Sequence, residues 1–347
     1  MGSTTPSTGR LIIPPGAIDP QTSITIPLQV IRISEAGAYK VGIQVALSTP
    51  GSSAAGEPFL YEFDTGGKGF FASAAHVPAP AQTLGAVSDT YQSGNQFSGQ
   101  AAVVNVSFPA SSADRSFPVL IGLIDTFSTK SGPATFPQDD HGFYGDFGAS
   151  LEATPVQSTN AVSLLTVLAQ LGEPFNSGFI VDVGPYPGGG QGQGQLIVGV
   201  TDTLRELFPN ALQMRTSTPY TPAGQTAAPV ATYQAALITG TLTVGSAGSA
   251  GDIDVVLDTG APHTTFHPGS TLTAAFTPRP GDDVTLTSNG VTILQFQQGN
   301  TLGIDKAKVE TAATNGAGTV NTGLAPFFAN PILFDLETGT IRFASPA

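Results

Sequence analysis

Most of the chain alternates apolar and polar residues one for one, which is the period of a strand that buries one face. This alternation, or a short apolar run, predicts strands at 23–31, 39–47, 101–108, 118–124, 179–183 and 195–200. Segments rich in Gly, Pro and Ser, such as 49–58, separate the apolar runs and are typical of turns. The chain up to residue 200 is therefore predicted to consist mainly of short strands.

The rest of the chain continues this pattern, and only short stretches have helical character. Further strands are predicted around 230–244, at 284–297, and as a closing pair at 331–335 and 340–343. The segment from Asn160 to Leu171 places apolar residues on one helical face, and Gly172 and Pro174 end it. One or two helical turns are also predicted within 201–208. These elements together predict an all-β protein with few helices.

An Asp-Thr-Gly triplet follows an apolar run twice and occurs nowhere else, at residues 64–66 and 258–260. A strand that delivers a carboxylate into a tight Gly turn, once in each half, indicates two lobes that contribute one acid each. Two carboxyls that face each other across a pseudo-twofold axis can share a proton and activate a water molecule. One triplet alone is weak, since Asp-x-Gly is ordinary turn chemistry. As turns only, the triplets fit a β-rich surface or structural protein, in which mutating either Asp changes stability alone.

Composition narrows the class of protein further. The chain has 347 residues, enough for two lobes with separate cores. Hydrophobic residues make up 40% and charged residues 11%, which indicates a globular protein. A formal net charge of −13 argues against nucleic acid and anionic membranes as partners. The absence of Cys excludes disulfides, thiolate metal sites and Cys nucleophiles.

The start of the sequence has no targeting signal. Residues 1–10 are small and polar, so we predict a disordered lead-in, and they lack the basic and apolar regions of a signal peptide. No apolar run approaches the roughly 20 residues needed to cross a bilayer. We divide the remainder into an N-terminal lobe at 11–175 and a C-terminal lobe at 176–347, each with one Asp-Thr-Gly.

These features resemble the pepsin-like, two-lobed aspartic protease family, as a divergent, cysteine-free member of bacterial type. In that family each lobe supplies one Asp-Thr-Gly, a hairpin flap carries a Tyr over the cleft, and an apolar-apolar-Gly segment runs behind each Asp. The matching elements here are Asp64, Asp258, Tyr91 with Gly94 and Gly99, Phe143-Tyr144-Gly145, and the closing run from Asn321 to Phe328. The resemblance spans nearly the whole chain and implies an all-β, bilobal pepsin-like fold with a cleft between the lobes.

The resemblance also implies a function and a set of site residues. The chain would be an aspartic endopeptidase that holds a water between its two Asp residues and cleaves extended polypeptides with apolar side chains beside the scissile bond. The implied residues are Asp64 and Asp258 as catalytic acids, Thr65, Gly66, Thr259 and Gly260 as support, and Tyr91, Gly94 and Phe71 as flap and substrate-binding residues. Such an enzyme needs no cofactor or metal and is inhibited by pepstatin-like compounds.

The family resemblance favours a secreted, cell-surface or periplasmic location. It also favours a monomer, because two lobes already supply both acids.

Departures from the family pattern keep a second function open. The family usually has Ser or Thr directly after each Asp-Thr-Gly, and its hydroxyl donates to the adjacent carboxylate. Here Gly67 and Ala261 occupy those positions, so neither side chain donates, and we expect a higher proton affinity of the pair. This favours, as the alternative, a catalytically weak or inactive pepsin-like binding or inhibitor protein. Glu62, two residues before Asp64, is expected either to be paired or to tune the two acids through like charge, and Lys68 to be a surface cation.

The remaining candidate sites have simpler interpretations. His263 and His267 have the spacing of a metal pair on a helix, but they fall in a predicted loop without a third ligand, so we predict no metal site. Asp139-Asp140-His141 fits a Ca²⁺ or acid–base site and a solvated loop equally well. The glycine run at 188–192 lacks the Lys-Ser/Thr and the following helix of a phosphate loop and is predicted to connect two strands.

Overall fold

The computed structural model describes residues 9–34, 37–52, 56–78, 82–91, 93–113, 115–137, 142–152, 164, 168, 171–219, 231–299, 304–310 and 316–345. Most of the lead-in predicted at 1–10 and of the helix predicted at 160–171 lies outside these residues, as does Asp139-Asp140-His141. Within the described part of the chain, no helix is long and apolar enough to cross a membrane.

Up to residue 152, the described part of the chain is mostly strand. The strands are β1 (Ile24–Arg32), β2 (Tyr39–Ser48), β3 (Pro58–Asp64), β4 (Phe70–Ser73), β5 (Gln82–Thr90), β6 (Gln96–Ser107), β7 (Ser116–Thr129), β8 (Gly132–Ala134) and β9 (Phe143–Gly148). Short 3₁₀ turns lie at Pro15–Ala17 and Ala74–His76. The strands predicted at 23–31, 39–47 and 101–108 are confirmed, and the run at 118–124 is the middle of the longer β7.

The second half continues with short strands and two short helices. The strands are β10 (Gly178–Asp182), β11 (Gly192–Val198), β12 (Asn210–Gln213), β13 (Ile238–Val244), β14 (Gly248–Val256), β15 (Thr265–His267), β16 (Asp283–Ser288), β17 (Val291–Gln297), β18 (Lys308–Val309), β19 (Thr319–Asn321), β20 (Ile332–Asp335) and β21 (Thr340–Phe343). The helices are α1 (Asp202–Glu206) and α2 (Ala325–Ala329), and 3₁₀ turns lie at Phe175–Ser177 and Ala274–Phe276. Helix α1 and the closing strand pair are confirmed predictions, whereas α2 was not predicted.

The strands form two sheets. The larger has fourteen strands in the order β12-β21-β20-β10-β11-β1-β2-β3-β9-β4-β7-β6-β5, with β8 paired to β7. The smaller has seven, in the order β17-β16-β13-β14-β19-β15-β18. Five strands from beyond residue 175 enter the larger sheet, where β11 pairs antiparallel with β1. The predicted division of the chain at 175/176 therefore does not coincide with the division between the sheets.

One apolar core connects the two sheets and fixes the triplet-bearing strands. It includes Tyr61 and Phe63 of β3 and Ile253 and Val255 of β14, all fully buried. Strand β3 lies between β2 and β9, and β14 lies between β13 and β19, so both triplets emerge from sheet interiors. The paired strands on either side hold each triplet rigidly, which is the condition for placing two carboxyls accurately.

Candidate active site

The two Asp-Thr-Gly turns meet face to face. A Cβ atom on Gly66 would lie 2.6 Å from the carboxyl carbon of Asp258, and one on Gly260 would overlap the carboxyl of Asp64. Each Asp therefore lies directly against the glycine of the opposite turn. Glycine is required at both positions because any side chain would push the two carboxyls apart.

Crossed hydrogen bonds between the two threonines lock the turns together. The backbone N–H of Thr65 donates to Oγ1 of Thr259 (3.0 Å), and the N–H of Thr259 donates to Oγ1 of Thr65 (3.0 Å). Each hydroxyl in turn donates across the interface, from Thr65 to the Leu257 carbonyl (2.8 Å) and from Thr259 to the Phe63 carbonyl (2.6 Å). Both side chains are buried, so water does not reach these polar groups. The crossed hydrogen bonds satisfy them instead.

The carboxylate of Asp258 accepts three hydrogen bonds from the described residues. Its Oδ1 accepts from the backbone N–H groups of Gly260 (2.8 Å) and Ala261 (3.0 Å), and its Oδ2 accepts from the side-chain amide of Asn321 (2.5 Å). Such donors favour the ionised form of a carboxyl group. Asn321 thus supplies the donor that Ala261 lacks, a role that the sequence analysis did not assign to it.

Asp64 has a different environment. Among the residues that the structure describes, Gly66 is the one backbone donor to its carboxyl, with its N–H 2.7 Å from Oδ1. Burial, and then the negative charges of Asp258, Asp146 and Glu62, raise the pKa of Asp64 well above its ordinary value. Asp64 is also within hydrogen-bonding reach of Asp258. These surroundings therefore favour the protonated form of Asp64.

A third carboxyl lies beside the pair and was missed from the sequence. Asp146 on β9 is 4% exposed, and its Oδ1 is a buried atom without a hydrogen-bond partner. A Cβ on Gly67 would lie 2.8 Å from Oδ2 of Asp64 and 3.1 Å from Oδ2 of Asp146, so both carboxyls line the space left by the missing side chain. Burial, and then the charge of Glu62, raise the pKa of Asp146 well above its ordinary value.

Glu62 is both paired and close to the acids, so the two alternatives considered from sequence apply together. Lys40 on β2 binds both of its carboxylate oxygens at 2.5 Å, and the side chain of Glu62 is only 8% exposed. Its charge nevertheless contributes to the raised pKa of Asp64. Lys68 forms an ion pair with Glu152 (3.2 Å) and is 37% exposed, which fits the predicted surface cation.

The hairpin formed by β5 and β6 carries Tyr91 to the acids. Tyr91 closes the tip, where its N–H donates to the carbonyl of Asn95 (2.8 Å) and its carbonyl accepts from the N–H of Gly94 (2.8 Å). Its ring packs edge-on against Phe97 at 5.3 Å, and its hydroxyl is buried without a partner, close to the carboxyl of Asp146. Tyr91 therefore lies at the tip of the hairpin.

Gly94 and Phe71 shape the hairpin differently. Gly94 has a φ of +89°, and a Cβ there would overlap the side chain of Lys130, so the tip requires glycine. Phe71 is only 1% exposed and packs beneath the hairpin against Phe97 and Gly122. Phe71 therefore supports the hairpin from below and offers no open surface to a ligand.

The glycine run and His267 are two further sequence candidates in the described part of the chain. The glycine run at 188–192 leads into β11, which pairs antiparallel with β10, so it connects two strands as predicted. His267 is half-buried on β15, and burial lowers its pKa. In the described part of the chain, no group of three or more His, Cys, Asp or Glu side chains has the arrangement of a metal site.

Two β sheets, two Asp-Thr-Gly turns locked by crossed threonines and a hairpin over the paired acids define the bilobal pepsin-like fold. Among solved structures, the chain is similar to the crystal structure of an aspartic proteinase from Irpex lacteus, with a TM-score of 0.59. The alignment covers 94% of this chain and 98% of that chain, at 16% sequence identity. At this identity the similarity shows the fold alone. No protein-family model matches the chain, and no curated protein sequence matches it either.

Proposed function

We propose that this protein is an aspartic endopeptidase that hydrolyses peptide bonds with water activated between Asp64 and Asp258. The observation that carries the proposal is the contact of the two carboxyls, each against the glycine of the opposite turn, under the crossed threonine bonds. Two adjacent carboxyls cannot both ionise at moderate pH, so one donates a proton while the other accepts one.

The surroundings of the two acids support a division of their roles. Asp258 has three donors that favour its carboxylate, so it is the base that takes a proton from the water. Asp64 is buried among negative charges and holds the proton, so it is the acid that polarises the substrate carbonyl. When the tetrahedral intermediate collapses, a proton passes to the leaving nitrogen, and the dyad returns to its singly protonated state.

The hairpin tip would then act as the flap. Tyr91 would close over a bound peptide and exclude water from the acids. Extended peptides are the expected substrate class, because they would fit a cleft between the two β lobes of a pepsin-like fold.

Cleavage of denatured casein from about pH 3 to about pH 7, with and without pepstatin, tests the proposal. The test variants are Asp64→Asn and Asp258→Asn. The matched controls are Asp125→Asn and Asp252→Asn, which make the same change at exposed positions, on β7 and on the strand that precedes Asp258. We expect pepstatin-sensitive cleavage in the wild-type and control proteins and a loss of roughly 10³-fold or more in both test variants.

Two other results would contradict the proposal. Absence of cleavage at every pH in a folded protein would favour the pepsin-like binding protein, in which Gly67 and Ala261 reflect a lost activity. Cleavage that survives both Asp→Asn changes would show that the triplets serve as turns and that another site is active.

A further inference from the structure

Asp146 and Asn321 occupy equivalent positions in the two halves. Strand β9 runs parallel to β3, with Asp146 opposite the residue two before Asp64. Strand β19 runs parallel to β14, with Asn321 opposite Val256, the residue two before Asp258. Each therefore lies on the strand next to its catalytic Asp, at the same register.

The structure shows which group Asn321 contacts. Because Asp146 is its counterpart in the other half, this contact suggests what Asp146 does. Asn321 donates its amide to Oδ2 of Asp258, the atom that lacks a hydroxyl donor because residue 261 is Ala. Asp146 and Asp64 both crowd Gly67, where a Cβ would lie 3.1 Å from Oδ2 of Asp146 and 2.8 Å from Oδ2 of Asp64. A carboxyl group donates a hydrogen bond only in its acid form, so Asp146 can match Asn321 only while it holds a proton.

We propose that Asp146 is a positioning residue of the active site, whose carboxylic acid donates to the outer oxygen of Asp64 and accepts the hydroxyl of Tyr91. The inference rests on the proposed function. It pairs two buried polar atoms for which no ideal hydrogen bond is present, Oδ1 of Asp146 and the hydroxyl of Tyr91. Buried polar atoms without partners are uncommon and costly, and these two lie close together.

The surroundings of Asp146 favour its acid form. The titratable and charged groups around it are Glu62 and Asp64 of β3, Lys40 of β2, Tyr91 of the hairpin tip and Asp258 of the opposite turn. Lys40 is the one cation among them, and Glu62 binds it directly. Burial, and then the charge of Glu62, raise the pKa of Asp146, and they outweigh the hydroxyl of Tyr91 and the cation of Lys40, which favour its ionised form.

The first test does not depend on catalysis. The thermal stability of the wild-type protein is compared with that of Asp146→Asn from about pH 4 to about pH 8. A group that holds its proton in the folded state but not in the unfolded state stabilises the fold at low pH, and this contribution is lost as the pH rises. We expect the Tm of the wild type to fall relative to Asp146→Asn by up to about 2 °C per pH unit, because the amide cannot ionise.

The second test measures kcat/KM on a peptide substrate. Asp146→Asn retains a donor and an acceptor, so we expect it to stay within about 3-fold of wild type, whereas Asp146→Ala should lose roughly 10- to 100-fold. Asp125→Asn is the surface control.

The outcomes separate the two proposals. A Tm difference between the wild type and Asp146→Asn that does not change with pH, or that changes in the opposite direction, would overturn the role of Asp146. Full activity of Asp146→Ala would overturn it as well. An inactive wild-type protein would instead refute the proposed endopeptidase, while the Tm comparison would still decide whether Asp146 holds a proton.

Discussion

The crossed threonines give the most direct prediction, which concerns Thr259→Val. Valine has nearly the shape of threonine, so the substitution removes the hydroxyl and little packing. Two buried backbone groups then lose their partner, the N–H of Thr65, now 3.0 Å from the hydroxyl, and the carbonyl of Phe63, at 2.6 Å. Thr259 itself is fully buried, so water cannot replace the hydroxyl without opening the interface.

The magnitude follows from these two groups. A buried donor or acceptor that loses its partner costs about 1–3 kcal/mol, so we expect the variant to be destabilised by about 4 kcal/mol. The entropy of unfolding near Tm is about 2.1 cal/mol/K per residue, so a chain of 347 residues should lose roughly 1.4 °C per kcal/mol. The expected fall in Tm is therefore about 6 °C.

Differential scanning calorimetry measures this directly. The matched control is Thr239→Val on β13, an exposed position where the same change should alter Tm by less than about 1 °C. We expect Thr65→Val to behave like Thr259→Val, because its hydroxyl bonds the Leu257 carbonyl and the Thr259 N–H in the same way. A fall of less than about 2 °C for both variants would show that the crossed bonds do not hold the two turns together.

Other contacts at the site give further predictions. Lys40→Met leaves Glu62 buried without its cation, so it should cost about 3 kcal/mol at neutral pH in a calorimetric comparison, and Lys40→Met/Glu62→Gln should recover most of this. Tyr91→Phe removes the hydroxyl that donates to Asp146 in the arrangement we propose, so Tm should fall by about 1–2 °C, and Tyr91→Ala should lower it further through lost packing on Phe97. Asn321→Ala removes the side-chain donor to Asp258 and should lower kcat/KM roughly 10- to 100-fold, and an unchanged value would refute the donor role.

The repeated Asp-Thr-Gly triplet was the strongest signal in the sequence. It identified Asp64 and Asp258 because the structure that it predicts depends only on neighbouring residues. An apolar strand followed by Asp-Thr-Gly specifies a strand, a carboxylate and a tight turn within one short segment. The contact between the two turns is a long-range tertiary contact. The spacing of about half the chain between Asp64 and Asp258 was enough to suggest this contact. The closing strands β20 and β21 were equally local and equally predictable.

Asn321 and Asp146, which were not predicted from the sequence, lie on the strands next to those that lead to Asp258 and Asp64. Asn321 and Asp146 reach the acids through the parallel register of β19 and β9, which no local pattern reveals. A signal was present, because each is the first residue of an Asx-x-Gly segment, at 146–148 and 321–323. The burial of Phe71 was also unpredictable, since it depends on the hairpin that folds over it.

The two halves differ in the side chain that lies beside each Asp, and this difference affects the proposed mechanism. Neither turn has a hydroxyl after its glycine, and each neighbouring strand supplies an Asx side chain at the same register. The amide of Asn321 donates at any pH, which suits Asp258 to the base role that we propose for it. A carboxyl at 146 donates only while protonated, and when it ionises its charge opposes ionisation of Asp64. With its proton, Asp146 would give Asp64 a second donor beside the N–H of Gly66, whereas Asp258 has three donors among the described residues, so Asp258 keeps the better environment for negative charge in either state of Asp146. An exchange of the two side chains, Asp146→Asn with Asn321→Asp, should thus move the shared proton toward Asp258.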